Sequence, residues 1–70
     1  MKYLIVIEET VNGYSAYSPD LPGCAAAGTS VEETERNMRQ AVELHLEGLR
    51  AEGFEIPRPT TRSSYVEIAA

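Results

Sequence analysis

One amphipathic helix takes up a large part of this chain and limits what the remaining residues can build around it. Ser30 and Glu33 have the spacing of a capping box, in which each side chain bonds the other residue's amide. We therefore predict a helix from Val31 to about Glu52, ended by Gly53. At about 100° per residue, its apolar stripe consists of Val31, Thr34, Met38, Val42, His45 and Leu49. A single stripe of this kind has to be covered by a small sheet.

Four short segments have the residue content of β-strands. Asn12-Gly13 is a strong hairpin signal, because both residue types tolerate positive φ. The first strand begins apolar on both faces, so we expect it to be central or covered on both sides. The four predicted strands are residues 2–10, 14–18, 24–27 and 64–68. The sequence thus predicts a single α+β domain over residues 1–70, of order β-β-β-α-β, with one helix packed on a small antiparallel-type sheet.

The short chain has few ways to stabilise itself. It has 70 residues with one cysteine, Cys24, and one histidine, His45. One cysteine excludes an internal disulfide, and one of each excludes a closed structural zinc site. A core of this size leaves a stability margin near zero. We therefore expect a homo-oligomer, a dimer or tetramer, or a partner protein to supply stability.

Charge and hydropathy exclude further classes of protein. Six basic residues stand against 11 acidic ones, for a net charge of −5, so direct nucleic-acid binding is not expected and a basic partner fits better. The longest apolar run, Leu4–Ile7, is far too short for a membrane span. No signal-peptide pattern opens the chain, so we expect a cytoplasmic protein.

No residue pattern predicts catalysis, a cofactor site or a metal site. A two-metal nuclease needs several carboxylates converging on its ions, and no motif brings together the acidic candidates, which are Glu8, Asp20, Glu33 and Glu67. Asp20 is expected to cap its own loop. His45 lies on the helix stripe and Cys24 in a small-residue strand, so we interpret both as packing residues. A metal-dependent nuclease remains a remote alternative.

Five residues are candidates for an interface with a partner or with another copy. Tyr14 and Tyr17 are tyrosines of a half-covered sheet, a residue type enriched at protein interfaces. Leu44 projects from the polar side of the helix, flanked by the like charges Glu43 and Glu47. A scattered exposed leucine on a solvated face is the rival interpretation, and the pattern does not decide between the two.

A longer constellation of residues resembles a known family. The sequence Pro19-Asp20-Leu21-Pro22-Gly23-Cys24 precedes Gly28 and the Ser30 helix start, followed by Asn37, His45-Leu46-Glu47 and Ile56-Pro57. In this order it resembles the HicB-like antitoxin family of bacterial type II toxin–antitoxin systems. The motif residues that we interpret as structural are Pro19, Asp20, Leu21, Pro22, Gly23, Cys24, Ser30, Glu33, Asn37 and His45.

The resemblance carries expectations about fold and function. It implies a partial ribonuclease-H-like fold, homo-oligomerisation, and neutralisation by direct binding of a HicA-type toxin, a small basic ribonuclease that cleaves mRNA. Many members also carry a C-terminal DNA-binding domain, and this sequence looks like a short form without one, so operator binding is in doubt. The alternative is a stand-alone homo-oligomeric HicB-like domain with no toxin partner.

Overall fold

The computed structural model describes all 70 residues as three strands followed by one helix. These are β1 (Val6–Thr10), β2 (Gly13–Tyr17), β3 (Ala25–Gly28) and α1 (Val31–Ala51). Both strand pairs are antiparallel and the sheet order is β1-β2-β3. The α+β class, the antiparallel sheet and the single packed helix are confirmed.

The β1–β2 hairpin forms where the Asn-Gly signal predicts it, but by a different backbone conformation. Thr10 pairs with Gly13 across a loop of Val11 and Asn12, and neither Asn12 nor Gly13 has a positive φ. A glycine is required for a different reason. A Cβ at Gly13 would lie 2.5 Å from the carbonyl oxygen of Gly28 on β3, so only glycine permits this close approach of two chain segments.

The strand register places one row of residues under the helix. Ile7 pairs with Ala16, and Ala16 pairs with Ala26, so these three side chains share one face. They pack with Met38 of α1. The small alanines let the helix approach closely over β2 and β3. The opposite face of the sheet, with the row of Val6, Tyr17 and Ala25, is covered by no other element.

The core of the molecule is thin. Only six of the 70 residues are buried, and its apolar part consists of Ala16, Leu21, Cys24 and Met38. The two polar members are Ser18, whose hydroxyl donates to the Leu4 carbonyl, and Thr34, whose hydroxyl donates to the Ser30 carbonyl. With so few buried side chains, each one accounts for a large share of the stability.

Helix α1 begins and ends as the sequence predicts. The Ser30 hydroxyl accepts a hydrogen bond from the Glu33 amide at 3.1 Å. At the other end, the Gly53 amide donates to Arg50 and the Phe54 amide to Leu49, with φ +75° at Gly53. This is the Schellman pattern, in which a left-handed glycine satisfies the last carbonyls.

The capping box also predicts that the Glu33 carboxylate accepts from the Ser30 amide, and this prediction is wrong. The Glu33 carboxylate accepts from the Thr29 amide at 2.7 Å and from the Thr29 hydroxyl at 3.0 Å, and does not reach back to the Ser30 amide. Thr29 offers two donors to one carboxylate oxygen, whereas Ser30 offers only its amide. These bonds lower the pKa of Glu33, since they favour its charged form.

We expect Ser30→Ala to destabilise the chain by about 1 kcal/mol, because it leaves an amide of the first helical turn without its acceptor. Urea denaturation followed by circular dichroism measures this change. Ser63→Ala, at an exposed serine outside the helix, is the matched control. Equal midpoints for the Ser30 variant and the wild-type chain would contradict this role of the cap.

The predicted fourth strand is absent, and β1 is shorter and differently placed than expected. Residues 64–68 form no strand, and residues 2–5 precede β1 without strand pairing. A strand requires a neighbour for its backbone groups, and residues 64–68 have none within this chain. As a result β1 is an edge strand, which corrects its predicted central position.

Candidate protein-interaction surface

Asp20 joins the loop between β2 and β3 to the residues that follow the helix. Its carboxylate accepts hydrogen bonds from the amides and the hydroxyls of both Thr60 and Thr61, at 2.8 to 3.2 Å. The expectation that Asp20 caps its own loop is therefore wrong. The Tyr3 hydroxyl adds a second tie, since it donates to the Pro57 carbonyl. Together these bonds fix where the chain leaves the domain.

These hydrogen bonds, with the Thr61 hydroxyl contributing most, lower the pKa of Asp20 below its ordinary value of 3.8. A carboxyl group with a lowered folded pKa stabilises the fold above its unfolded pKa, and this contribution is lost as the pH falls through the folded pKa. The contribution of Asp20 is thus fully present at neutral pH and disappears in strong acid.

We expect Asp20→Asn to lower the melting temperature by several degrees at neutral pH, because an amide nitrogen replaces one accepting oxygen. The gap from the wild-type chain should narrow as the pH falls from neutrality through the lowered pKa of Asp20, because the wild-type carboxylate is then protonated as well. Thermal melts across this range test the expectation. Glu55→Gln, at an exposed carboxylate, is the control, and a gap that does not change with pH would refute it.

The loop between β2 and β3 is built around one buried side chain. Leu21 is fully buried, and its amide and carbonyl bond Ser18 and Cys24, respectively. Gly23 has φ +83°, a conformation that favours glycine. The prolines on either side of this turn, Pro19 and Pro22, are exposed. This loop motif therefore places Leu21 in the hydrophobic core.

Cys24 follows the loop as a free, buried thiol. Burial raises its pKa, which disfavours the nucleophilic thiolate. Asn37 bonds within the fold, since its side-chain amide donates to the Ala27 carbonyl of β3 at 2.7 Å. His45 is half-buried on the inner stripe of the helix. Burial accounts for Cys24 and His45, and the hydrogen bond to β3 accounts for Asn37.

The five interface candidates do not form one patch. Leu44 is 68% exposed, and Glu43 and Glu47 beside it on α1 are also exposed. Tyr17 is 45% exposed on the uncovered sheet face, whereas Tyr14, three residues earlier, is half-buried on the helix side. The helix trio of Leu44, Glu43 and Glu47, which we call the acidic helix face, is thus separate from either tyrosine.

A second surface was missed by the sequence reasoning. A groove of about 450 Å³ runs between the residues before β1 and one flank of α1. The groove exists because α1 packs across β2 and β3 and leaves β1 partly uncovered. Its lining residues are Met1, Lys2, Tyr3, Ile5, Glu35, Met38, Arg39, Val42 and Glu43. We call it the β1 groove. No local sequence signal indicates it, because the groove depends on how α1 packs against the residues before β1.

The structure brings no metal-binding cluster together. No group of three or more His, Cys, Asp or Glu side chains has the arrangement that a metal ion requires. The helix is also not apolar enough over its length to cross a membrane.

Comparison with known families shows which family this chain belongs to. The model of the HicB-like antitoxin of bacterial toxin–antitoxin systems matches residues 3–69. The chain belongs to the HicB-like antitoxin family. The match spans nearly the whole of this HicB-like chain and includes the loop, the helix and the segment after it.

Related proteins occur in a phage and in bacteria. This HicB-like chain is 35% identical over 66 residues to an uncharacterised 14.9 kDa protein of Haemophilus phage HP1, covering 94% of the chain and 50% of that protein. It is 49% identical over 47 residues to a UPF0150 protein of Helicobacter pylori, covering 67% of the chain and 65% of that protein. The chain thus spans half to two thirds of the length of these relatives.

Two solved structures share the fold. The HicB-like chain matches a chain of a HicA3 and HicB3 toxin–antitoxin complex with a TM-score of 0.74 and 38% identity, covering 86% of the HicB-like chain and 70% of the other. It matches the antitoxin HicB3 with a TM-score of 0.71 and 38% identity, covering 86% and 44% of the two chains.

Proposed function

We propose that this protein is an antitoxin that neutralises a HicA-type toxin by direct binding. The observation that carries the proposal is the likeness, at 38% identity and a TM-score of 0.74, to a chain of a HicA3 and HicB3 toxin–antitoxin complex. Because a toxin that cleaves mRNA acts where mRNA is translated, the proposal places the protein in the cytoplasm. It assigns the chain no catalytic step.

The acidic helix face is the surface that we assign to the toxin. Leu44 supplies an apolar side chain that α1 leaves exposed, with Glu43 and Glu47 beside it. Two carboxylates to one side of an exposed apolar side chain complement a basic protein that carries its own apolar pocket. The net charge of −5 accelerates encounter with a basic partner, and burial of Leu44 then slows dissociation.

Co-expression with a HicA-type toxin encoded beside this protein's gene tests the proposal. Induction of the toxin alone should stop growth, and induction of both proteins should restore it. The two chains should also co-purify and elute together. The control is the Met38→Ala variant, whose folding defect should abolish the rescue. A toxic neighbour that neither binds this chain nor is relieved by it would exclude the antitoxin function.

A further inference from the structure

The residues that follow the helix include a basic, hydroxyl-rich stretch in a chain that is acidic as a whole. The stretch Arg58-Pro59-Thr60-Thr61-Arg62 holds two of the six basic residues and no acidic one, although the net charge of the chain is −5. It belongs to no helix or strand, and both arginines and Thr60 are exposed. An exposed hydroxyl group between two arginines of an irregular segment has the features of a substrate for a basophilic protein kinase.

The two threonines of this stretch differ in how available their hydroxyl groups are. Both hydroxyls donate to the Asp20 carboxylate, that of Thr61 at 2.8 Å and that of Thr60 at 3.2 Å. The first distance is ideal for an O–H···O bond, whereas the second lies outside the usual range. Thr61 is also half-buried and Thr60 is exposed. The Thr60 hydroxyl is thus the one that an enzyme can reach without first displacing the chain.

A negative charge on Thr60 would act directly on Asp20. The Asp20 carboxylate accepts four hydrogen bonds from Thr60 and Thr61, which we call the threonine clamp. These bonds lower the pKa of Asp20, so the carboxylate is ionised at neutral pH. A phosphate group on a hydroxyl carries about −1.5 to −2 charges and removes the hydroxyl donor. It would therefore repel the carboxylate, while the arginines on both sides offer it new partners.

We propose that Thr60 is a phosphorylation site and that its modification opens the threonine clamp. In the reaction, the Thr60 hydroxyl oxygen attacks the γ-phosphorus of ATP, the bond from that phosphorus to the oxygen of the β-phosphate breaks, and ADP leaves. The hydroxyl proton passes to the catalytic base of the kinase. The new phosphate pairs with Arg58 and Arg62 and turns away from Asp20. The chain from Thr60 onward thereby loses its attachment to the loop between β2 and β3.

The opening is local, because two other bonds hold the segment nearer to the helix. The Tyr3 hydroxyl donates to the Pro57 carbonyl, and the Phe54 amide donates to the Leu49 carbonyl at the end of α1. Neither bond involves Thr60 or its carboxylate partner, so both remain after phosphorylation. The inference is independent of the antitoxin proposal, since the modified residue and the clamp both lie within this chain.

Hydrogen exchange on chemically synthesised chains of all 70 residues tests the opening. In a chain with phosphothreonine at position 60, the amides of Thr60 and Thr61 should exchange at least about tenfold faster than in the unmodified chain, the effect of losing one bond to a charged group. The Phe54 amide should exchange at the unmodified rate. Unchanged exchange at Thr60 and Thr61, or faster exchange at Phe54 as well, would overturn the proposal.

Two further synthetic chains separate the clamp from a general effect of charge. Phosphorylation of Ser63, which is exposed and makes no bond to Asp20, is the matched control and should leave the clamp closed. In an Asp20→Asn chain, phosphorylation of Thr60 should accelerate exchange by a much smaller factor than in the wild-type chain, because asparagine has no charge to repel the phosphate. Equal acceleration in both backgrounds, or by both phosphates, would refute the role of Asp20 and with it the proposal.

Mass spectrometry of the protein from the cells that encode it tests whether the site is used. Trypsin does not cleave before proline, so residues 51–62 form one peptide that contains both threonines. With phosphatases inhibited during purification, we expect a fraction of this peptide to carry one phosphate on Thr60 in growing or in starved cells. A peptide without phosphate in both states, or a phosphate confined to other residues, would exclude the proposed modification.

Discussion

Replacing Met38 by alanine should cost about 2–5 kcal/mol of stability and leave much of the chain unfolded at 37 °C. Met38 is fully buried and contacts both the sheet and the loop around Leu21. A domain of 70 residues has only about 4–10 kcal/mol of total stability. The cavity at this one position therefore removes a large fraction of the free energy of unfolding.

Chemical denaturation of the Met38 variant measures the loss directly. Val11→Ala is the control, because it shortens an apolar side chain at a fully exposed position, and its midpoint should equal that of the wild-type chain. Met38→Leu should recover most of the stability, since it conserves apolar volume. A Met38→Ala midpoint close to that of the Val11→Ala control would show that the core lies elsewhere.

Replacing Leu44 by arginine should weaken binding to a cognate toxin by about 30-fold or more, the effect of losing an interface hot spot. The substitution puts a positive charge at the centre of the acidic helix face, where we place a basic partner. Because Leu44 is 68% exposed, the fold should be unaffected. Titration calorimetry with the purified toxin, together with growth rescue, measures both consequences.

A control separates the position of the added charge from the change in net charge. Val11→Arg introduces the same charge at a fully exposed residue of the hairpin loop, far along the chain from α1. It should reduce only the association rate, and only slightly at physiological salt. Equal losses for Leu44→Arg and Val11→Arg would show that net charge alone governs binding and that the helix face is not the contact.

Local signals predicted the parts of the fold that depend on neighbouring residues. Ser30 and Gly53 define α1 to within a residue, because caps act on backbone groups only a few positions away. The hairpin follows from Asn12-Gly13 for the same reason, although the backbone conformation differs. The family resemblance, carried by the loop motif and the helix start, is confirmed by the match over residues 3–69.

Local sequence signals did not predict contacts between residues that are far apart in the chain. The hydrogen bonds of Asp20 go to Thr60 and Thr61, about forty residues away, and nothing in the local pattern indicates this partner. The strand character of residues 64–68 is real in sequence, but a strand forms only where a neighbour exists. Likewise the β1 groove depends on which strands α1 covers, a matter of packing that periodicity does not specify.

The difference between the β1 and β3 edges of the sheet has a consequence for aggregation. Sheets that can gain strands at both sides grow into fibres, and natural proteins block at least one side. Here the Asn37 amide occupies a carbonyl on the β3 side, so that side is poorly suited to accept a further strand. One side chain on the helix thus helps to keep a thinly packed protein from polymerising.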